Sequence, residues 1–332
     1  MNGRLRRVLI ILASIIAGLA LYYWFSRNFF AVSARDIAVV LSSMSIPMLM
    51  ISIGTRATIP MLQALELYLA CLALRKRLGI RSMYIGVSAA LGMEYVVPLG
   101  GMTEVYKIWF LTRNGVDLVT AIKAVVLQRL AISLSMFVDI LFILSIEIPM
   151  TITITLSLIT LGMAAMNALL LGMVRIKRFA KLADSMRKAI SAKIERYIGI
   201  KPPSIGMALE ELKTNYIWFA FAVAVAIAER LVTALSGYIV AKGLRLELSF
   251  VQAVLIFDFI QVVMWLLPIV TPGNVGIFES LQLMVFKAIG SPSLAVLVPL
   301  IYRVVTVIAT VPQFVIAMLS DMWKYIRLPR QT

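Results

Sequence analysis

The chain has 332 residues, of which 61% are hydrophobic and 14% charged, with a mean hydropathy of +0.97. Soluble domains use apolar residues at roughly half of their positions, so this composition excludes an ordinary soluble domain and predicts an integral membrane protein. The net charge of +16 is expected to face an anionic leaflet, and nucleic acid is not expected as a partner. With no histidine and only Cys71, the chain excludes a disulfide framework, a Cys/His zinc site and a His-dependent triad, so we expect no catalytic residue, metal or cofactor.

Long uncharged runs predict membrane-spanning helices. Three runs can each cross a hydrocarbon core of about 30 Å, and they cover residues 8–26, 37–55 and 148–174. The first run ends in the aromatic cluster 22–25 and lacks a signal-peptidase motif, so we predict a retained first helix. Further apolar segments predict helices over about 118–147, 216–241 and 294–320.

The segment 175–198 is strongly basic, with eight Lys and Arg against two acidic residues, and the positive-inside rule places it in the cytoplasm. Its apolar residues recur every three or four positions, which predicts a helix lying flat on the anionic leaflet; a solvated linker helix is the alternative. It divides the chain into transmembrane halves 1–174 and 216–332, joined by 175–215. Basic clusters near both termini predict that the termini are cytoplasmic as well, in a multi-pass protein of the plasma membrane.

The alternation of charge along the chain predicts two re-entrant hairpins. Residues 82–112 must enter and return on one side of the membrane, and residues 249–289 must do so from the opposite side. Residues 37–74 must cross an odd number of times. Their two apolar stretches, separated by Gly54-Thr55-Arg56 and Pro60, leave the number of crossings open.

Matched landmarks in the two halves indicate an internal repeat. In the first half, Glu104 lies 11 residues before Gly115, and Arg129 follows 14 residues later. In the second half, Glu279 lies 11 residues before Gly290, and Arg303 follows 13 residues later. Because the hairpins have opposite orientations, we predict an all-α polytopic bundle with two inverted repeats, each containing a re-entrant hairpin of broken helices. This arrangement is typical of secondary transporters.

The hairpin tips and the two arginines are the candidate substrate-binding site. Broken helices present backbone groups and positive dipole ends to a cavity, and arginine binds phosphate or carboxylate in a bidentate manner. The predicted substrate-binding residues are Pro98, Gly100, Gly101, Glu104, Arg129, Pro272, Gly273, Asn274, Gly276, Glu279 and Arg303. The alternative is that Glu104 pairs with Arg129, and Glu279 with Arg303, as structural ion pairs; both descriptions can hold together.

Other ionisable residues in apolar segments are candidates for ion coupling. Glu66, Glu229 and Asp258 are the coupling candidates, with pairing to a neighbouring cation such as Arg230 as the alternative. Asp139 lies nearly three helical turns after Arg129, so we expect it to face another helix or the outer cavity mouth. Lys107 and Lys287 are expected to snorkel toward an interface.

Two of these segments resemble the paired signatures of a known family. The hairpin Pro98-x-Gly-Gly-x-x-Glu104 with Gln128-Arg129-Leu130, and the string Thr271 to Glu279, resemble the lysylphosphatidylglycerol synthase transmembrane-region family, whose members are called flippase-like proteins. The resemblance covers nearly the whole chain and implies a polytopic domain that moves or presents lipids or polyprenyl-linked precursors. Asn274 departs from the usual Pro-Gly-Gly, which weakens transfer of the substrate by analogy. Because no large soluble domain follows the last predicted helix, we expect no synthase activity.

These observations predict a membrane lipid translocase rather than an enzyme. We expect it to move an anionic or polyprenyl-phosphate-linked headgroup by alternating access between the repeats. The chain has no G-x-x-x-x-G-K-[ST] phosphate loop, so direct use of ATP is not expected. Two alternatives stay open: an intramembrane enzyme with Glu104 or Glu279 as general base, and an ion-coupled transporter of small solutes on the same scaffold.

Overall fold

A computed structural model describes residues 44–96, 102–144, 150–173, 214–260, 276–289 and 293–327, together with Tyr23 and Ser42. Within these ranges every regular element is helical, which confirms the predicted all-α class. The predicted first helix over 8–26 lies almost wholly outside the described residues. The basic segment 175–198 and the tips of both predicted hairpins also lie outside them.

Ten α-helices are described. In chain order they are α1 Ile46–Ala57, α2 Ile59–Ala73, α3 Ile80–Val96, α4 Met102–Arg113, α5 Leu118–Ile143, α6 Met150–Met173, α7 Tyr216–Gly243, α8 Phe250–Ala253, α9 Ile277–Ala288 and α10 Leu297–Arg327. A π-helical turn, Val254–Phe259, continues α8, and a 3₁₀ turn, Ser293–Val296, precedes α10.

Four stretches of these helices are long and apolar enough to cross a membrane: Ile46–Ala73, Leu118–Phe142, Tyr216–Gly243 and Leu297–Ser320. The predicted helices over 118–147, 216–241 and 294–320 are therefore confirmed, with ends shifted by a few residues. Within the uncharged run 148–174, helix α6 covers Met150–Met173. Large apolar side chains such as Leu141, Leu169 and Ile316 are exposed on the outside of the bundle, as expected of surfaces that contact lipid.

The run 37–55 does not form one spanning helix, so that prediction is wrong. Met44 and Ser45 are not helical, and α1 begins only at Ile46, with Pro47 in its first turn. Pro60 occupies the first turn of α2, where its missing N–H costs nothing, and its ring prevents a regular helix from running through from α1. The two helices meet at Thr58 and together form one candidate span of 28 residues.

The span made by α1 and α2 lies antiparallel to α7, which also has 28 residues. Their ends are joined reciprocally: the Ser45 N–H donates to the Gly243 carbonyl over 2.9 Å, and the Asn215 N–H donates to the Ala73 carbonyl over 2.8 Å. The residue before each span thus caps the final residue of the other. This pairing sets the register of the two spans at both ends.

The turns that follow the two spans have the same backbone conformation. Arg75 has φ 59° and Arg245 has φ 58°, both in the left-handed region that residues other than glycine rarely adopt. In each turn the residue after the arginine donates its N–H back into the last helical turn over 2.9 Å. Such a bond satisfies a carbonyl that the helix end would otherwise leave unpaired.

The core lies where α7 packs against α1, α2, α5 and the π-helical turn. The approach is close at Gly237, where an added Cβ would lie 2.1 Å from the ring of Phe257. On the other side of the bundle α10 packs against α1 and α3. This packing surrounds the buried ionisable residues of α2, α5 and α7.

Candidate functional site

The first predicted ion pair is present in the structure. Glu104 lies in the first turn of α4, and its Oε1 accepts a hydrogen bond from the Nη2 of Arg129, near the middle of α5. The Arg129 and Glu104 side chains are 24% and 20% exposed, so the pair is half-buried. An ion pair therefore joins helix α4 to α5, the span that follows it.

The second predicted ion pair is present as well, and each oxygen of its carboxylate accepts a hydrogen bond. The Oε1 of Glu279, in the first turn of α9, accepts from the Nε of Arg303 in α10. Its Oε2 accepts from the Gly276 N–H over 2.6 Å, which satisfies a free donor at the helix start. Gly276 has φ 86°, a left-handed conformation that glycine adopts without strain. The Arg303 side chain is 18% exposed.

The pairing of Glu104 with Arg129 and of Glu279 with Arg303 is thus confirmed, whereas substrate binding by these residues stays a prediction. The arginine guanidinium also lies 5.6 Å from the centroid of the Phe278 ring in the second pair, within reach of a cation–π contact. The other predicted binding residues lie outside the described part of the chain: Pro98, Gly100, Gly101, Pro272, Gly273 and Asn274.

A third cluster of charges is buried inside the bundle, and we call it the closed cluster. The sequence did not predict that its residues form one group. The Nε of Arg230 in α7 donates to the Oδ2 of Asp139 in α5 over 2.6 Å. Its Nη2 lies 2.7 Å from the Oδ2 of Asp258 in the π-helical turn, at angles that do not make a hydrogen bond. The Arg230, Asp139 and Asp258 side chains are 4%, 1% and 2% exposed. The expectation that Asp139 faces another helix is confirmed.

Two further buried acids, Glu66 and Glu229, are joined by glutamines rather than by arginine. The Gln128 Nε2 donates to the Glu66 Oε2 over 3.2 Å and to the Gln63 carbonyl over 3.1 Å. The Gln63 Nε2 in turn donates to the Glu229 Oε1 over 3.3 Å. The interpretation in which Glu229 pairs with the adjacent Arg230 is therefore wrong, because no salt bridge joins the two in this described region.

Lys107 is buried and does not snorkel toward an interface. Its side chain lies one helical turn beyond Glu104 in α4, and its Nζ donates to the Gln128 Oε1 over 3.2 Å. Lys287, by contrast, is exposed. Residues of α4 thus contact two consecutive residues of α5, because Glu104 binds Arg129 and Lys107 binds Gln128.

Arg56 is a buried cation that the sequence analysis did not single out. It lies at the end of α1, where its Nη1 donates to the Thr233 hydroxyl over 3.2 Å and its guanidinium is 5.5 Å from the centroid of the Tyr302 ring. The only signal for it in the sequence is an arginine beside a long apolar run. Among the residues whose placement is described, no group of three His, Cys, Asp or Glu side chains could hold a metal ion.

Comparison with models of known protein families shows to which family the chain belongs. A model described as "Lysylphosphatidylglycerol synthase TM region" matches residues 10–312. The chain belongs to this family. The match includes all three charged clusters and both signature segments, and it confirms the resemblance seen in the sequence. A lysylphosphatidylglycerol synthase TM region is a membrane domain of lipid-related proteins, so contact with membrane lipid follows. A comparison with curated proteins found no match to the chain.

Proposed function

We propose that this member of the lysylphosphatidylglycerol synthase TM region family is a lipid translocase and not an enzyme. It moves the headgroup of an anionic or polyprenyl-phosphate-linked lipid across the bilayer, while the hydrocarbon tail stays in the membrane. The two halves alternate in exposing the headgroup site to each side. The protein resides in the plasma membrane with both termini in the cytoplasm, and the segment 175–198 rests on the anionic leaflet.

Two features support an arrangement of inverted repeats with re-entrant hairpins. The antiparallel 28-residue spans exchange hydrogen bonds at both ends and end in turns of the same conformation, as two copies related by an in-plane twofold axis would. Helices α4 and α9 have 12 residues each, about 18 Å, which is too short for a hydrocarbon core of about 30 Å.

The single observation that carries the proposal is the pair of Glu–Arg contacts at matched positions, in which both arginines are partly exposed. The Arg129 and Arg303 side chains are 24% and 18% exposed, whereas the Arg230 side chain is 4% exposed. Of the two glutamates, Glu104 is 20% exposed and Glu279 is buried at 3%. A phosphate offers arginine the same bidentate, charge-assisted hydrogen bonds as a carboxylate. An anionic headgroup can therefore replace Glu104 or Glu279 at its arginine without leaving a bare cation in the membrane, a state that costs several kcal/mol.

The same contacts argue against the enzyme alternative. A general base must accept a proton from its substrate, but the Oε1 of each candidate carboxylate already accepts a hydrogen bond from an arginine. Glu279 additionally accepts from a backbone N–H. Exchange of one anion for another is the chemistry that these groups support best.

The test is movement of labelled lipid in proteoliposomes. Headgroup-labelled phosphatidylglycerol or polyprenyl phosphate is incorporated, and a membrane-impermeant quencher reports how much label reaches the outer leaflet with time. Arg129→Gln and Arg303→Gln should each slow equilibration by about tenfold to hundredfold, because hydrogen bonds to charged groups contribute about 1.5–3 kcal/mol. Arg77→Gln is the matched control, since it removes the same charge from an exposed turn.

Equal rates for the wild type, both variants and the control would contradict the proposed roles of the two arginines. Failure of the folded wild-type protein to move any of the lipids, with or without ion gradients, would contradict the translocase function itself. Release of a chemically altered lipid, detected by mass spectrometry, would favour the enzyme alternative.

A further inference from the structure

Among the described residues, six buried or half-buried acids lie within or at the start of packed helices and face the core, and they fall into two groups. Glu104, Glu279, Asp139 and Asp258 each contact an arginine at salt-bridge distance. Glu66 and Glu229 are also buried, yet in the region that the structure describes their hydrogen bonds come only from glutamine amides. A buried carboxylate without a paired cation is costly in a membrane, so these two acids require a separate explanation.

The orientation of the Gln128 amide is fixed by Lys107. An ammonium group can only donate, so the Gln128 oxygen must face Lys107 and the Gln128 nitrogen must face Glu66. The Glu66 Oε2 is consequently an acceptor. Its Oε1 is buried and has no hydrogen-bond partner in the described part of the chain. Oε1 is therefore the atom that carries a proton when Glu66 is neutral.

The two glutamine amides connect Glu66, which is fully buried, to Glu229, which is less deeply buried. Glu66 is 0% exposed, whereas Glu229 is 8% exposed and its partner Gln63 is only half-buried. The charged groups that act on Glu66 are Glu229 and Arg230 from α7 and Lys107 from α4. Two carboxylates in one buried hydrogen-bonded network repel each other when both are ionised, so one proton shared by the network removes that repulsion.

We propose that Glu66 and Glu229, bridged by Gln63 and Gln128, bind the proton that drives lipid movement. This inference rests on the proposed function. One proton is taken up from the solution on one side of the membrane and released on the other side. The Lys107–Gln128 contact links the pair to helix α4 and thereby to the Glu104–Arg129 headgroup site.

The first test does not depend on transport. Infrared difference spectra of the full-length protein in lipid nanodiscs are compared between the wild type and Glu66→Gln at neutral pH. The wild type should show a carboxylic-acid C=O band that is lost in Glu66→Gln and kept in Glu247→Gln, which alters an exposed acid after α7. The band should also shift in Glu229→Gln. An ionised Glu66 throughout the accessible pH range would overturn the proposal.

The second test measures coupling in vesicles of phosphatidylcholine and phosphatidylglycerol that contain headgroup-labelled phosphatidylglycerol. A gradient of one pH unit should shift the steady-state distribution of label between the leaflets by up to about tenfold for each coupled proton. This shift should reverse with the gradient and vanish in Glu66→Gln, but persist in Glu247→Gln. A gradient-independent distribution in a wild type that equilibrates lipid would overturn this inference alone. No lipid movement at all would instead contradict the translocase proposal, and the infrared result would still decide whether the proton site exists.

Discussion

Removing Arg230 tests whether the closed cluster stabilises the bundle. Arg230→Gln leaves the carboxyl groups of Asp139 and Asp258, which are 1% and 2% exposed, without a cation. Removal of one partner from a buried ion pair costs about 3–5 kcal/mol, because the other charge stays desolvated. For a chain of this size, such a loss lowers the midpoint of thermal unfolding by on the order of 10 °C.

Asp258→Asn is the matched substitution, and we expect it to change the stability of the protein only slightly. It leaves one guanidinium with one carboxylate, and the Arg230 Nε still donates to Asp139 over 2.6 Å. The new amide oxygen can still face the Arg230 Nη2. We therefore expect a change in the free energy of unfolding within about 1 kcal/mol, typical of a single hydrogen bond.

The chain carries its own probe for this measurement. Cys71 is the only cysteine in the sequence, and its side chain is fully buried. A thiol-reactive fluorogenic maleimide therefore reacts only when the protein opens, and labelling during a temperature ramp gives the unfolding midpoint. Equal midpoints for Arg230→Gln and Asp258→Asn would refute the reasoning, because the two variants would then cost the same despite their different charge balance.

Two further substitutions test local packing and capping in the same thiol-protection assay. Gly237→Ala should destabilise the protein by about 1–3 kcal/mol because its Cβ would lie 2.1 Å from the Phe257 ring, whereas Gly54→Ala meets nothing within 4 Å and should be neutral or stabilising. Equal unfolding midpoints for Gly237→Ala and Gly54→Ala would contradict the close approach of Gly237 to the Phe257 ring. Asp117→Ala removes the side-chain oxygen that accepts from the Thr120 N–H over 2.9 Å at the start of α5, and it should lower the free energy of unfolding by about 1 kcal/mol. Asp117→Asn keeps an oxygen acceptor and should leave the stability unchanged. An equally large loss of stability in Asp117→Asn would show that the loss of the cap is not the cause.

Hydropathy placed three of the four candidate spans to within a few residues, because a helix in lipid must be continuously apolar over a fixed length. It failed for 37–55, where the absence of charge does not mark where a helix starts. The starts are set instead by Pro47 and Pro60, each in the first turn of its helix.

The ion pairs that were predicted correctly join neighbouring elements of the chain. Glu104 and Arg129 are 25 residues apart, and Glu279 and Arg303 are 24 apart, so a helix followed by a short turn and a second helix brings them together. Glu229 and Arg230 are adjacent, but neighbouring residues on a helix point about 100° apart and face different partners. Their contacts with Gln63 and Asp139 cannot be derived from spacing.

The sequence by itself therefore determined that this is an all-helical membrane protein with charged residues at matched positions in its two halves. These are properties of composition and of short chain segments. Only the tertiary structure decided that Arg230 joins Asp139, 91 residues away, and that within the described helices Glu66 is bonded by Gln128 rather than by a cation. The reason is that the cost of a buried charge depends on which helix faces meet around it, and that is a property of packing rather than of the order of residues.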